Sequence, residues 1–275
     1  MHFSNFSKYL VLLLISLQCI SCATNKNPPH YPTAKEIKQK LNHRVTKNDY
    51  KLKNFRRTKD GSYEYAKDSR YTFRLGLDVS HHDGEIDWKL VKESGRDFAF
   101  IRAGYRGYQT GELKLDNQFH ANMKGAREAG LDTGVYFFSQ AITEEEAVEE
   151  ARFVLNELQE YQLQLPVVYD PEGIPWDEAR TDGLEREQIM KNTHAFCNEI
   201  KAAGYEPMIY SNLRWELDYF DLEELEEYKI WYADYRKRIN TPYHFEFLQY
   251  GGESETIPGV GRKCDGDIQI IATPQ

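Results

Sequence analysis

The stretch that decides the fold lies at residues 75–104 and reads LGLDVSHHDGEIDWKLVKESGRDFAFIRAG. Both ends are short apolar runs typical of buried strands, and residues 88–94 between them fit a helix. A strand, a helix and a second strand in this order predict a βαβ unit with parallel strands. No glycine-rich phosphate loop follows the first strand, which argues against a nucleotide-binding sheet.

The same alternation continues to the end of the chain. Gly130 and Gly204 stand where the C-caps of two predicted helices belong. Helices are predicted at residues 88–94, 116–129, 143–161 and 184–203, and strands at 75–80, 98–104, 133–139, 165–171, 206–212, 229–235, 245–250 and 266–271. Because about 200 residues are few for eight full βα units, we expect an incomplete (β/α) TIM-like barrel with eight strands and fewer than eight helices. A doubly wound open sheet is the alternative.

The N-terminus has the organisation of a bacterial export signal. Lys8 precedes an apolar run at residues 9–17, which is too short for a membrane span and suits a signal-peptide core. A small residue stands before Cys22, as in a lipoprotein cleavage site, so residues 1–22 are predicted to be a lipoprotein signal with Cys22 as the lipidated residue. We therefore expect a cell-envelope protein anchored by lipid to a bacterial membrane. Simple secretion after cleavage near Ala23 is the alternative.

Charge separates the next segment from the rest of the chain. Residues 26–70 contain 13 Lys or Arg against 5 Asp or Glu, whereas the whole chain has a formal net charge of −9. This segment has few apolar residues and one short predicted helix at residues 33–41. We expect a basic, largely irregular tether at residues 23–72 that contacts anionic envelope polymers or the acidic domain, or is a solvated spacer. The folded domain is expected at residues 73–275.

Polar side chains cluster where the predicted strands end, which is where β/α barrels carry their active sites. Aromatic residues near the same loops, Trp231 among them, would suit a cleft that stacks sugars. The polar or aromatic residues at strand ends are Asp78, Ser80, Arg102, Tyr136, Asp170, Glu172, Tyr210, Asp234, Gln249 and Tyr250, with Asp265 and Asp267 at the start of the last strand.

Asp170 and Glu172 form the sharpest element of this set. Residues two apart on a strand face the same side, so both carboxyl groups would lie over the barrel mouth. Two like charges held together raise one pKa, as a general acid near neutral pH requires. An Asp-x-Glu pair is more often two solvated surface carboxylates, but this one follows the apolar run 166–169.

Asp78 should face the barrel interior, because Leu77 and Val79 beside it are apolar and face the helices. It would serve catalysis, or pair with Arg102 on the next strand, and the two roles are compatible. His81 and His82 would point to opposite sides of an extended chain, and no set of residues has zinc-ligand spacing. We therefore expect no metal and no other cofactor.

At this point the sequence resembles the N-acetylmuramidases, or lysozymes, of glycoside hydrolase family 25. The family fold is an incomplete β/α barrel, which agrees with the expectation from length. The resemblance is carried by residues 76–88, 98–104, 134–139, 166–173, 207–212, 230–235, 248–250 and 265–268. Departures are Asp267-Ile-Gln269 in place of the usual Asp-Leu-Asn, Leu248 in place of a Trp, and Pro171 within the acidic motif.

The resemblance implies roles for the strand-end residues. Glu172 would be the catalytic acid, and Asp170, Asp78 and Asp267 the other catalytic carboxylates. Substrate would be bound by Ser80, Arg102, Tyr136, Tyr210, Trp231, Asp234, Gln249 and Tyr250.

The function implied by the resemblance is cleavage of the β-1,4 bond between N-acetylmuramic acid and N-acetylglucosamine in peptidoglycan. The expected partners are glycan strands and, through Cys22, a membrane, with no nucleic acid and a monomeric state. A wall-binding lipoprotein without turnover and a hydrolase of a related amino-sugar polymer are the alternatives.

Overall fold

The computed structural model describes residues 32–59, 61–236, 238–251 and 256–274. The predicted signal peptide and Cys22 lie outside the described residues. Within the described ranges, no helix is both long enough and apolar enough to cross a membrane.

The described residues form eleven strands and six α-helices. The strands are β1 (Phe55–Arg57), β2 (Tyr63–Tyr65), β3 (Tyr71–Val79), β4 (Phe98–Arg106), β5 (Leu113–Leu115), β6 (Asp132–Ser139), β7 (Val167–Pro171), β8 (Pro207–Asn212), β9 (Lys229–Ala233), β10 (Phe247–Tyr250) and β11 (Asp265–Ala272). The helices are α1 (Ala34–Lys40), α2 (Trp88–Glu93), α3 (Phe119–Glu128), α4 (Glu144–Glu157), α5 (Arg186–Ala202) and α6 (Leu213–Asp218).

Eight strands close into a barrel, as predicted. The hydrogen-bonded order is β3, β11, β10, β9, β8, β7, β6, β4, and pairing of β4 with β3 closes the ring, while β5 extends β4 outside it. Helices follow the early strands, and only the short α6 follows β8. Among the described residues no helix separates β9 from β10 or β10 from β11, so the late helices are missing, as the chain length indicated.

The last strand differs from the expected parallel sheet. β11 runs antiparallel to both β10 and β3, whereas all other neighbouring barrel strands are parallel. The described residues between β10 and β11 contain no crossover helix, and a parallel return would need one. Because β11 is reversed, its first residues lie at the same end of the barrel as the last residues of the parallel strands.

Apolar side chains fill the barrel and also the layer between barrel and helices. The inner cluster includes Phe98, Phe100, Trp231 and Phe247, and the ring of Trp231 stacks on that of Phe100 at 4.7 Å between centroids. The outer cluster joins the helices to the opposite faces of the same strands. This two-sided burial explains why the strands have nearly continuous apolar sequences.

The segment from Pro32 to the start of β3 packs on the barrel, unlike the irregular tether that its composition indicates. Tyr50, Phe55, Tyr63 and Tyr65 are all buried in the outer cluster. The Tyr50 hydroxyl donates to the carbonyl of Phe245, just before β10. Apolar residues are sparse in this segment, but the few present are large aromatic rings, each of which buries a large area.

The basic side chains of this segment contact the acidic domain. Arg44 pairs with Glu223 at 3.0 Å, and Lys40 pairs with Asp218 on α6. From its sequence, the basic segment is expected to contact anionic envelope polymers or the acidic domain, or to be solvated. Among the described residues, its cations contact the acidic domain.

Candidate active site

A cleft with two lobes opens at the end of the barrel where the parallel strands finish. We call the larger one, of about 860 Å³, the wide lobe. The smaller one, of about 680 Å³, contains Asp78, Asp170 and Asp265 and is called the carboxylate lobe. Glu172, Trp176, Tyr210 and Tyr235 line both lobes, so Glu172 lies at their junction. The wide lobe is lined by loops, by α5 and α6 and by the ends of β6 to β9, and it includes Asn192, Asn212, Trp215, Tyr219, Asp234 and Arg236. Each of the eight barrel strands contributes at least one side chain to the carboxylate lobe, and these include Asp78, Arg102, Tyr136, Asp170, Tyr210, Trp231, Gln249 and Asp265.

Glu172 follows the last residue of β7, and its backbone is held in place by a neighbouring side chain. Its carbonyl accepts a hydrogen bond of 2.6 Å from Nε2 of Gln140. Burial raises the pKa of the Glu172 carboxyl to about 7; a hydrogen bond from the Tyr210 hydroxyl opposes this rise, and the charge of Asp265 adds to it. Glu172 therefore still carries its proton close to neutral pH.

Asp170 lies two residues before Glu172 and lines the carboxylate lobe. Burial raises its pKa well above the ordinary value, the charge of Glu172 raises it further, and Arg102 opposes the rise. Its buried Oδ1 has no hydrogen-bond partner among the residues that the structure describes. A buried acceptor without a partner is costly, so this atom is suited to a polar group of a bound ligand.

Asp78 on β3 stands directly opposite Asp265 on β11. Burial raises the pKa of Asp78 well above its usual range, and the charges of Asp267 and Asp265 raise it further. Nε2 of Gln249 donates a hydrogen bond of 2.8 Å to Oδ2 of Asp78. The partner of Asp78 is therefore Gln249, and not Arg102 as the sequence also allowed.

Gln249 has both ends of its amide engaged. Its Oε1 accepts a hydrogen bond of 2.7 Å from the hydroxyl of Tyr235 and lies 2.8 Å from the hydroxyl of Tyr210, whose single proton is shared between Gln249 and Glu172. A hydroxyl donor on this end fixes it as the carbonyl, so the amide NH₂ must face Asp78. Gln249 thus connects the carboxyl of Asp78 to the tyrosine beside Glu172.

Asp267 lies beneath the cleft and not on its surface. It is fully buried, level with Gly76 of β3, and its Oδ1 accepts a hydrogen bond of 2.7 Å from Nε1 of Trp231. Asp267 lines neither lobe, whereas Asp265 lines the carboxylate lobe. The catalytic role that the resemblance implies for Asp267 is therefore corrected: its carboxylate holds Trp231, and Asp265 is the carboxylate of this strand that faces the cleft.

Arg102 is anchored by Asp116, a buried residue after β5. Oδ2 of Asp116 accepts from Nε of Arg102 at 2.8 Å and from the backbone N–H of His81 at 3.0 Å. Nη2 of Arg102 lies 2.6 Å from Nδ1 of His81. The same nitrogen of His81 lies 3.0 Å from Oδ2 of Asp116, so His81 joins this cluster through its side chain as well as its backbone.

The two adjacent histidines lie side by side, contrary to expectation. Residues His81–Asp83 form a 3-10 turn capped by the Ser80 side chain, so the rings of His81 and His82 are 4.0 Å apart instead of on opposite sides. The described residues contain no group of three or more His, Cys, Asp or Glu that could hold a metal ion. Both described cysteines, Cys197 and Cys264, are buried, and they are not joined to each other.

Of the remaining predicted binding residues, three line the cleft. Tyr136 and Tyr210 pack edge-on against Trp231, at 5.8 and 5.0 Å between centroids, and line the carboxylate lobe. Asp234 lines the wide lobe, where Arg236 donates two hydrogen bonds of 2.7 Å to its carboxylate. Its role in the structure is to hold the loop after β9.

Tyr250 is not in the cleft, so its predicted role in substrate binding is wrong. Adjacent strand residues face opposite sides, and Gln249 faces inward. The Tyr250 ring faces the outer layer and packs edge-on against Tyr63, with ring centroids 4.8 Å apart.

Three residues of the site went unassigned in the sequence. Asp265 has a signal, because it precedes Asp267 by two residues and must share its face. Tyr235 directly follows the apolar run of β9, which is a weaker signal. Asp116 has none, because its two partners lie on other elements.

The described fold and site can be compared with known proteins. "Lysozyme M1" of Streptomyces globisporus is 40% identical over 65 residues, which is 24% of this chain and 20% of that protein. "Autolytic lysozyme" of Clostridium acetobutylicum is 24% identical over 193 residues, 70% of this chain and 54% of that protein. The modular autolysin LytC of Streptococcus pneumoniae has a similar fold, with a TM-score of 0.63, 22% identity and coverage of 78% of this chain and 52% of LytC.

The chain thus spans about half, or less, of the length of these relatives. The model of the glycosyl hydrolases family 25 matches residues 77–260, which is more than half of the chain and includes seven of the eight barrel strands in whole or in part. The chain therefore belongs to glycosyl hydrolases family 25.

Proposed function

We propose that this protein is a peptidoglycan hydrolase, a lysozyme that cleaves the β-1,4 bond between N-acetylmuramic acid and N-acetylglucosamine. The observation that carries the proposal is the position of Glu172 at the junction of the two lobes, with its pKa raised to about 7. A glycan lying across both lobes would pass Glu172 at the bond between two sugars. Membership of the family and the relatives named lysozymes support this reading.

Glu172 acts as the general acid that protonates the leaving oxygen. Its raised pKa keeps the proton available near neutral pH, where an ordinary glutamic acid would be ionised. Positive charge then develops at C1 of the sugar on the other side of the bond. That sugar lies in the carboxylate lobe, where Asp78, Asp170 and Asp265 are placed to stabilise it.

Two routes complete the reaction. In the first, the substrate's own 2-acetamido oxygen attacks C1 as the leaving oxygen takes the proton of Glu172, and a water that gives its proton to the ionised Glu172 then displaces the acetamido oxygen. Asp170 orients the amide, because its Oδ1, which lacks a partner among the described residues, is suited to the amide N–H. In the second, Asp78 or Asp170 activates a water that attacks from the opposite face. The first retains the configuration at C1 and the second inverts it, so the anomer released first distinguishes them.

The other residues bind or position. Trp231 is held by Asp267, which acts through it as a positioning residue. Asp234 serves the wide lobe. The side chains proposed to contact the sugar in the carboxylate lobe are Ser80, Arg102, Tyr136, Tyr210, Trp231 and Gln249.

The place of action follows from the substrate. Peptidoglycan lies in the cell envelope, and Cys22 in a lipoprotein signal would attach the enzyme to a membrane there, as a monomer. Replacement of Cys22 by Ala should release the protein from the membrane fraction, and retention of the variant would contradict the anchor.

The proposal is tested by incubating the full chain, beside its Glu172→Gln variant, with purified peptidoglycan and with chitin. New reducing ends on muramic acid from the wild type, and none from the variant, are expected. Cleavage of chitin alone would assign a different amino-sugar polymer. Binding of peptidoglycan without any reducing ends would favour a wall-binding protein, and substantial cleavage by Glu172→Gln would remove Glu172 from its role.

A further inference from the structure

Cations stand at the rim of the carboxylate lobe. Arg262 and Lys263 both line this lobe and both are exposed, whereas Asp78 and Asp170 lie deeper in it. They belong to the loop that leads into β11, and the next residue, Cys264, is buried. This loop therefore enters the barrel at a fixed point, and it holds two positive charges beside the cleft.

The position of Arg262 is fixed by a hydrogen bond to the other side of the lobe. Its Nη1 donates to the carbonyl of His82 at 2.5 Å. One contact uses a single donor of the five that a guanidinium carries. Arg262 is thus held against the turn His81–Asp83 with most of its donors left for another partner.

Among the residues that the structure describes, the wide lobe has no comparable rim of cations. Arg236 is engaged there by two hydrogen bonds to Asp234, so its charge is matched within the lobe. Arg214 donates to the hydroxyl of Tyr219 at 3.1 Å, and the acidic Asp182 and Glu185 line the same lobe. An anionic substituent of a glycan would therefore meet less favourable charge in the wide lobe than at Arg262 and Lys263.

The chemistry of cleavage independently assigns one sugar to the carboxylate lobe. The sugar whose C1 becomes positive must lie beside the carboxylates, and in the proposed reaction this sugar is muramic acid. Muramic acid carries a lactyl ether at O3 that ends in a carboxylate or in a peptide with carboxylates, and N-acetylglucosamine has no such group. The lobe with the cationic rim is thus the lobe that receives the anionic sugar.

We propose that Arg262 and Lys263 form a carboxylate-binding rim that recognises the acidic O3 substituent of the muramic sugar and so sets the direction in which a glycan strand lies across Glu172. The inference rests on the proposed function, since it assumes that muramic acid occupies the carboxylate lobe. Arginine suits this task because its planar donors match a carboxylate, and lysine adds a second charge.

The test compares glycan strands that differ in the carboxylate. Peptide-bearing strands carry it on the peptide, amidase-stripped strands carry it on the lactyl group, and stripped strands amidated with a carbodiimide carry none. The variant is Arg262→Gln with Lys263→Gln, and the control is Lys124→Gln with Arg127→Gln, which removes two charges from the outer helix α3. A rim that binds carboxylate makes KM lower for carboxylated than for amidated strands in the wild type and in the control.

In the rim variant we expect that difference to disappear, with a rise in KM of roughly threefold to tenfold on carboxylated strands, as for two partly solvated ion pairs. The substrate class that shows the rise, peptide-bearing or stripped, identifies which carboxylate is bound. The dependence of KM on salt should also weaken in the variant. Equal KM for carboxylated and amidated strands in the wild type, or an equal rise in the α3 control, would overturn the proposal.

Equilibrium binding separates this inference from the proposed function. Placed on the Glu172→Gln background, the rim and control variants are compared for binding to the same three strands, so no turnover is needed. A loss of affinity confined to carboxylated strands and to the rim variant supports the rim even if no cleavage is found. Unchanged affinity would overturn the rim while leaving the assignment of Glu172 as it stands.

Discussion

The two lobes of the cleft share Glu172 but are built differently. The carboxylate lobe takes at least one side chain from each of the eight barrel strands, whose positions are fixed by the hydrogen bonds of a closed sheet. The wide lobe reaches the ends of four of these strands but takes most of its walls from loops, with α5 and the short helix α6. Bond cleavage requires carboxylates held within fractions of an ångström, whereas binding of a long polymer tolerates looser walls. The difference indicates that the carboxylate lobe is suited to bond cleavage and the wide lobe to binding of the strand.

The largest expected difference in kcat comes from replacing one aspartate in each lobe by asparagine and comparing the two variants. Asp170→Asn should lower kcat by roughly 10²- to 10³-fold, because a neutral amide cannot stabilise the developing charge. Asp182→Asn, in the loop beside the wide lobe, should change kcat less than about threefold. Rates of reducing-end release measure both. Similar losses in the two variants would break the division of labour between the lobes.

Replacement of Trp176 tests how the cleft binds the glycan strand. Its side chain is 66% exposed and lines both lobes, as an open platform for sugar rings would be. Trp176→Ala should raise KM for long strands by roughly threefold to tenfold with kcat little changed, because apolar contact made equally in ground and transition states is lost. A fall in kcat without a change in KM would instead place Trp176 with the chemistry.

The pH profile of cleavage tests how neighbouring groups set the pKa of Glu172. Cleavage needs the protonated acid, so kcat/KM should fall as pH rises through about 7. The Tyr210 hydroxyl lowers the pKa of Glu172. Tyr210→Phe removes this donor, so the pKa should rise and the alkaline limb should move to higher pH.

Tyr235→Phe is the matched control for the pH profile. It removes the other hydroxyl that donates to Gln249, at 2.7 Å, yet Tyr235 provides no hydrogen bond that tunes Glu172. Its alkaline limb should stay in place. Equal shifts in both variants would show that disruption of Gln249, and not the contact to Glu172, sets the limb.

The smallest effect concerns stability. The pKa of Glu172 is raised from 4.5 to about 7, so its contribution to stability is greatest in acid and is lost as pH rises between these values. Glu172→Gln removes this loss. The melting temperature of the variant relative to wild type should therefore be higher at pH 8 than at pH 5, as calorimetry would measure; a constant difference would contradict the raised pKa.

The barrel is largely predictable from the sequence because its strands are buried on both faces. Such strands appear as apolar runs between turn signals, and those at 98–104 and 133–139 match β4 and β6 to within two residues at each end. The short β5 and α6 have too few residues to show a period, and both were missed. The reversal of β11 depends on pairing with β3, a partner far away in the sequence.

Site residues are predictable where their role follows from lying at the end of a strand. They are less predictable where the role depends on how deeply the side chain is buried in the barrel. Asp78, Asp170 and Glu172 lie at the mouth, as strand alternation indicates. Alternation alone does not separate Asp267, beneath the cleft, from Asp265 at its surface, because both share one face. The position of Tyr250 at a strand end predicts that it lines the cleft, but period two places it on the face opposite Gln249.

The reversed strand also governs the order in which the molecule can be built. β11 pairs Ala272 with Tyr71 and Asp265 with Asp78, so it joins the last-made part of the domain to the first. Contacts between such distant positions form late, because a long loop must close before they contribute. Without β11, the other seven barrel strands would form an open sheet whose edges are β3 and β10. Closure of the ring and the placement of Asp265 in the cleft therefore depend on the same strand.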